Sequence, residues 1–120
     1  MLLKTVSNYL IGRAEKRLGV ELDYVRHIAR AGTRLLMRYN RIFGAIDPNT
    51  KTPVLAYHTA RIRGAIALDC GTCVEAEMAL AQHAGIEDDV INHILLSRYN
   101  ELPSEIRSVA KLADLSLIHI

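Results

Sequence analysis

The chemistry of this chain is concentrated in one segment, Ala67-Leu68-Asp69-Cys70-Gly71-Thr72-Cys73-Val74-Glu75-Ala76-Glu77-Met78. The segment holds both cysteines of the protein, three positions apart. Two helix starts fit it, because Asp69 is a favourable N-cap and Thr72 with Glu75 forms the S/T-x-x-E pattern of a capping box. Either start places both sulfurs in about the first helical turn, where unpaired backbone N–H groups and the helix dipole lower the pKa of a thiol. The spacing therefore predicts a redox-active dithiol.

Two further side chains accompany the sulfurs. Glu77 lies four residues after Cys73 and seven after Cys70, so a helix places the three side chains on one face. His58 lies twelve residues before Cys70, within the preceding helical segment. Spacing alone leaves open whether His58 reaches the sulfurs, because that depends on how the two helices cross.

The composition favours a helical domain. Of the 120 residues, 50% are hydrophobic, and the chain contains 7 Gly, 3 Pro, 1 Phe and no Trp. This length can bury a real core but leaves little room for a second domain. The abundance of helix-forming residues argues against both disorder and a strand-rich fold. We expect an all-α protein with a single domain over residues 1–120.

Apolar residues recur every three to four positions, which predicts about six helices with short connections. The predicted spans are 2–18, 21–43, 53–68, 70–84, 87–97 and 103 to at least 115. Gly19 and Gly85 end their helices, Gly32 bends or splits the second one, and Pro53 lies in a first turn. Residues 44–53 form the longest predicted loop.

The charge balance gives no sign of a polyanionic partner. The chain has 15 basic and 13 acidic residues, a net charge of +2, and no charged tail. Five arginines, spaced four, four, four and three residues apart, predict one basic stripe along a helix: Arg26, Arg30, Arg34, Arg38 and Arg41. We interpret the stripe as a solvated face or a set of salt bridges between subunits, because aromatic or polar base readers are absent beside it. Nucleic acid is therefore not an expected partner.

Cysteine usage and hydropathy indicate the compartment. Two cysteines in a C-x-x-C motif, without a signal peptide, argue for a reducing environment. No run of about 18 apolar residues occurs, so we expect no membrane span. These features predict a cytoplasmic protein.

The cysteine segment resembles the alkylhydroperoxidase D and carboxymuconolactone decarboxylase family over about residues 40–115. The shared pattern is C-x-x-C-x-x-x-Glu-x-x-x-Ala-x-x-x-Gly followed by an acidic helix start, here Cys70, Cys73, Glu77, Ala81 and Gly85, then Leu102-Pro103. The peroxidase branch of that family has a His four residues after the second Cys and a Glu twelve residues before the first. In this chain Glu77 and His58 stand at those positions, so the two partners are exchanged. The decarboxylase branch lacks the cysteine pair, which disfavours that reaction.

The resemblance implies a fold, a reaction and a role for each residue. It implies an alkylhydroperoxidase D-like helical fold that associates as a trimer or hexamer and needs neither an organic cofactor nor a metal. It implies that the Cys73 thiolate attacks a hydroperoxide or disulfide, that Cys70 closes a disulfide with it, and that a thiol electron-donor protein restores the pair. His58 would act as base and Glu77 as its partner in a proton relay. The implied function is a thiol-dependent peroxidase or disulfide oxidoreductase with an antioxidant role.

Two alternatives of other classes stay open at this point. His58, Cys70, Cys73 and Glu77 make a chemically acceptable zinc set, although structural zinc sites usually draw ligands from two loops rather than one helical turn. The second alternative is a non-catalytic helical oligomerisation module. It is supported by small residues at positions 56, 60, 64, 65 and 67 and by the apolar C-terminus.

Overall fold

The computed structural model describes the backbone of residues 2–46 and 51–117, and the side chains of residues 4–42 and 51–116. These residues form helices and contain no strand, which confirms the all-α prediction. The helices are α1 (Leu2–Leu18), α2 (Asp23–Ala31), α3 (Thr33–Ile46), α4 (Val54–Ala67), α5 (Gly71–His83), α6 (Asp88–Leu95), a 3-10 helix (Tyr99–Glu101) and α7 (Ser104–Leu117). The chain divides into two compact units, Met1–Thr50 and Lys51–Ile120. The single domain expected over residues 1–120 stays a prediction.

The N-terminal unit packs α1, α2 and α3 around a small core of Ile11, Ala29 and Leu36. Gly32 separates α2 from α3, and its extended backbone (φ 165°, ψ 137°) makes this junction a break rather than a bend. Arg30 and Arg34 therefore lie on different helices, and the prediction of one arginine stripe along a continuous helix was wrong.

Glu15 links α1 to the start of α2. Its carboxylate accepts the N–H of Leu22 at 3.0 Å and Nε–H of Arg26 at 2.9 Å, and Nη2 of Arg26 donates to the second oxygen. The hydrogen bond from Arg26 is the main cause that lowers the pKa of Glu15. Arg26 thus forms an ion pair within the N-terminal unit, whereas the other four arginines of the predicted stripe are exposed.

In the C-terminal unit α4 is the central helix, and α5, α6 and α7 pack against it. Six buried side chains form the core: Ile62, Ala81, Ile91, Ile94, Leu102 and Ile106. Asp114 on α7 joins three elements, because it accepts Nε–H of Arg63 on α4 at 2.7 Å and the hydroxyl of Tyr99 in the 3-10 helix. These contacts fix α4 in place, and α4 in turn supports the helix that carries the cysteines.

Most predicted boundaries agree with the structure within a few residues. Gly85 follows α5 with φ 88°, as predicted; its N–H donates to Gln82 O at 3.0 Å and that of Ile86 to Ala81 O at 3.1 Å, a Schellman motif. Pro53 is the N-cap of α4 rather than part of its first turn. α3 continues past its predicted end at residue 43, and residues 47–50 of the predicted loop lie outside the described residues.

Candidate functional site

Cys70 and Cys73 form a disulfide bond across the first turn of α5, with their Cα atoms 5.2 Å apart. Cys70 is the N-cap of α5, and the backbone N–H of Cys73 donates to Sγ of Cys70 at 3.3 Å. The predictions of Asp69 or Thr72 as the cap were wrong, because the sulfur of Cys70 takes the place of the cap oxygen. The predicted location of both sulfurs in the first turn is confirmed.

Asp69 ends the preceding helix instead of starting the next one. Leu68 is the C-cap of α4, and Asp69 follows in the left-handed region with φ 51°. Its N–H donates to Ile66 O at 3.0 Å. Aspartate is one of the few residues with a Cβ that tolerate this conformation. The two-residue connection of Leu68 and Asp69 therefore delivers Cys70 directly to the start of α5.

The disulfide is partly accessible within the C-terminal unit. Cys70 and Cys73 are half-buried, and Gly71 between them is exposed. Leu68, just before the pair, is 69% exposed. Partial exposure at a helix N-terminus is the environment in which cysteines are reactive, whereas fully buried structural cysteines are inert.

Glu77, one turn after Cys73, forms an ion pair with Arg61 of α4. Nε and Nη2 of Arg61 donate to the two carboxylate oxygens at 2.7 and 2.6 Å. The Arg61 and Glu77 side chains are only 25% and 16% exposed. Two parallel N–H···O bonds between a guanidinium and a carboxylate are the strongest geometry for such a pair. Arg61 was absent from the predicted site, because a partner 16 residues away on another helix leaves no periodic signal in the sequence.

Tyr57, one turn earlier on α4, supports the same guanidinium. Nη1 of Arg61 donates to the Tyr57 hydroxyl at 2.8 Å, and the guanidinium carbon lies 5.3 Å from the centre of the Tyr57 ring. A cation at this distance is attracted to the face of an aromatic ring. Arg61 is therefore anchored on α4 through Tyr57 while it pairs with α5 through Glu77.

His58 lies in the interior of the C-terminal unit and is only 8% exposed. Its ring meets the Tyr57 ring edge to face, with the ring centres 5.0 Å apart. Each Glu77 oxygen accepts one N–H of Arg61 and keeps a second lone pair, so the ion pair does not by itself prevent a proton transfer from His58. The relay between His58 and Glu77 stays a prediction.

The structure also bears on the metal alternative. All four residues of the suggested zinc set are among the described residues. Within this part of the chain, no group of three or more His, Cys, Asp or Glu side chains is arranged to hold a metal ion. In the disulfide, moreover, neither sulfur carries the thiolate charge that binds zinc.

Comparison with known proteins gives no relative on which to base the site. No family model, curated protein or solved structure matches the chain. The likeness to the alkylhydroperoxidase D family thus remains an expectation drawn from the cysteine motif. Across the described helices, none is long and apolar enough to cross a membrane.

Proposed function

We propose that this protein reduces hydroperoxides or disulfides through the Cys70 and Cys73 dithiol. The observation that carries the proposal is the pair itself, two half-buried cysteines in the first turn of α5 at disulfide distance. The spacing of the motif and its resemblance to the alkylhydroperoxidase D family point to the same chemistry. The site needs no organic cofactor for this reaction, because the two thiols supply both electrons.

The cap hydrogen bond of Cys70 bears on its reactivity once the pair is reduced. In the reduced pair, the N–H of Cys73 and the positive end of the α5 dipole stabilise a thiolate on Cys70. A thiolate stabilised in this way is available to attack a neighbouring sulfur, and it leaves readily when the disulfide is reduced again. The first attack by Cys73 and the resolving role of Cys70 are what the family resemblance implies.

The proposed reaction with a hydroperoxide has two steps. The Cys73 thiolate attacks the terminal peroxide oxygen, the O–O bond breaks, and the departing alkoxide takes a proton to become an alcohol. Cys73 is then a sulfenic acid. The Cys70 thiolate attacks its sulfur and expels hydroxide, which takes a proton and leaves as water, and the disulfide forms. His58 and Glu77 are the proposed proton carriers for these steps.

With a disulfide substrate, the Cys73 thiolate attacks one sulfur and releases the other as a thiolate. Cys70 then displaces the second half from the mixed disulfide. In both reactions an external thiol carrier supplies two electrons to reopen the pair. A cytoplasmic location, where such carriers keep thiols reduced, belongs to the same proposal.

Single cysteine variants test the proposed roles. We expect Cys73→Ser to abolish peroxide consumption in the presence of a dithiol reductant, because the attacking sulfur is lost. Cys70→Ser keeps the attack but cannot close the intramolecular disulfide, so intact-mass spectrometry would find a sulfenic acid or an adduct with the reductant on Cys73.

The double variant with both cysteines replaced by serine sets the background rate. Peroxide and disulfide consumption by the native protein that is no faster than this background would overturn the proposed function. Turnover by Cys73→Ser alone at the native rate would instead remove the attack from Cys73.

A further inference from the structure

We infer that Arg61 is a positioning residue for the dithiol, because it neutralises Glu77 and thereby allows the Cys73 thiol to ionise. The inference deepens the proposed function and rests on it for its biological meaning. The site described so far uses Glu77 as a proton carrier and gives Arg61 no role. The geometry adds a second role for Glu77, because Arg61 and Glu77 form a charge-compensated pair one helical turn from the attacking cysteine.

The first step of the argument is the location of Glu77. It follows Cys73 by four residues within α5, so their Cβ atoms lie about 5–6 Å apart on one face of the helix. A carboxylate on the neighbouring helical turn repels a thiolate on this face. When both groups are partly shielded from water, such repulsion lowers the acid dissociation constant of a thiol by about tenfold.

The second step is the state of that carboxylate. Arg61 binds both of its oxygens, at 2.7 and 2.6 Å, in a pair that is mostly shielded from water. The positive charge of Arg61 opposes the negative charge of Glu77, so the pair repels a thiolate on Cys73 less than Glu77 alone would. Tyr57 fixes the guanidinium from its own helix, so the compensation does not depend on a freely moving side chain.

The third step is the other charges around α5. The helices packed against α5 are α4 and α6, and with α5 and the preceding turn they carry these further titratable or charged groups: Tyr57, His58, Arg63, Asp69, Glu75, His83, Asp88, Asp89 and His93. Arg63 is paired with Asp114. The Asp88 carboxylate accepts a hydrogen bond from the side-chain amide of Gln82, near the C-terminal end of α5. Glu75 and Asp69 are exposed. Arg61 and Glu77 are thus the shielded ion pair that joins α4 to the cysteine face of α5.

The test uses Cys70→Ser as the parent, because it leaves one thiol and keeps a good N-cap residue. The readout is the pH midpoint of Cys73 alkylation by the neutral reagent iodoacetamide. Arg61→Gln exposes Cys73 to an uncompensated Glu77, and we expect the acid dissociation constant of the thiol to fall by about tenfold. Glu77→Gln leaves the arginine alone, and we expect that constant to rise. The variant with both substitutions should return close to the parent.

Arg63→Gln is the matched control. It removes the same charge from the same helix, two residues further on, but breaks the pair with Asp114 on α7. It should leave the midpoint of Cys73 near that of the parent. Circular dichroism of each variant establishes that the helices are retained.

The return of the double variant separates an electrostatic role from a purely structural one. If Arg61→Gln leaves the midpoint unchanged, or if the double variant is shifted as far as Arg61→Gln alone, the inference is wrong. Should Arg61→Gln alone fail to fold, Glu77→Gln and the variant with both substitutions decide. A Cys73 less acidic in the double variant than in Glu77→Gln supports the inference, and equal midpoints in these two variants overturn it.

Failure of the inference and failure of the proposed function give different results. If the native dithiol reduces peroxide or disulfide but the pH midpoint of Cys73 alkylation does not change in Arg61→Gln, only the role of Arg61 is rejected. A dithiol that reduces neither substrate, while the variants follow the expected order, rejects only the proposed function.

Discussion

Cys70 combines two tasks in a single side chain, since its sulfur is half of the disulfide and also the N-cap of α5. Asp69 was an equally reasonable cap on chemical grounds, because aspartate favours both N-cap and left-handed positions. Which of the two it adopts depends on where α4 ends, and that end is set by the packing of α4. The motif could therefore be located from the sequence to within a turn, but the capping residue could not.

The cap role of Cys70 is testable in the reduced protein by urea unfolding. We expect Cys70→Ala to be less stable than Cys70→Ser by about 1 kcal/mol, because serine can accept the N–H of Cys73 and alanine cannot. The matched comparison is Cys73→Ala against Cys73→Ser. Position 73 lies inside the helix, where alanine is the better helix former, so serine should give no stabilisation over alanine there. Equal stability of the two Cys70 variants would mean that Cys70 does not cap α5.

At the scale of helices, the sequence predicted most elements because their ends carry recognisable signals. Gly19 and Gly85 both have positive φ at the ends of α1 and α5, a conformation that glycine adopts without strain. The 3-10 helix Tyr99–Glu101 was missed, because three residues are too short to show a hydrophobic period. Gly32 was named as a bend or a break, and only its backbone conformation distinguishes the two.

The tie between α1 and α2 predicts a pH dependence of stability. Arg26 lowers the pKa of Glu15 in the folded protein, so this carboxylate stabilises the fold above the ordinary pKa of a glutamate and loses that effect as pH falls through its folded pKa. In urea unfolding at a series of pH values, the native protein should exceed Glu15→Gln in stability near neutrality, and the difference should shrink in acid. Glu75→Gln, at an exposed site, should show little difference at any pH. If the difference in stability between the native protein and Glu15→Gln stays constant down to acid pH, the stabilising role of the Glu15–Arg26 ion pair is contradicted.

At the scale of the whole molecule, the composition and the spacing of apolar residues were sufficient to predict an all-helical chain. They could not predict which side chains of neighbouring helices contact each other. Arg61 and Glu77 illustrate the limit, because a hydrophobic period locates the buried stripe of each helix and leaves open how two helices are rotated against each other. The two compact units likewise have no marker in the composition. The trimer or hexamer implied by the family resemblance stays a prediction, which light scattering of the purified chain would test.

The central claim is that the Cys70 and Cys73 pair opens and closes as part of a reaction, and its equilibrium redox potential is the most direct test. The measurement equilibrates the full chain in thiol buffers of graded potential and quantifies the free thiols by alkylation and mass spectrometry. We expect reversible conversion with a midpoint between about −270 and −120 mV, the range of dithiol oxidoreductases. A pair that stays oxidised below about −300 mV, as structural disulfides do, would contradict the claim.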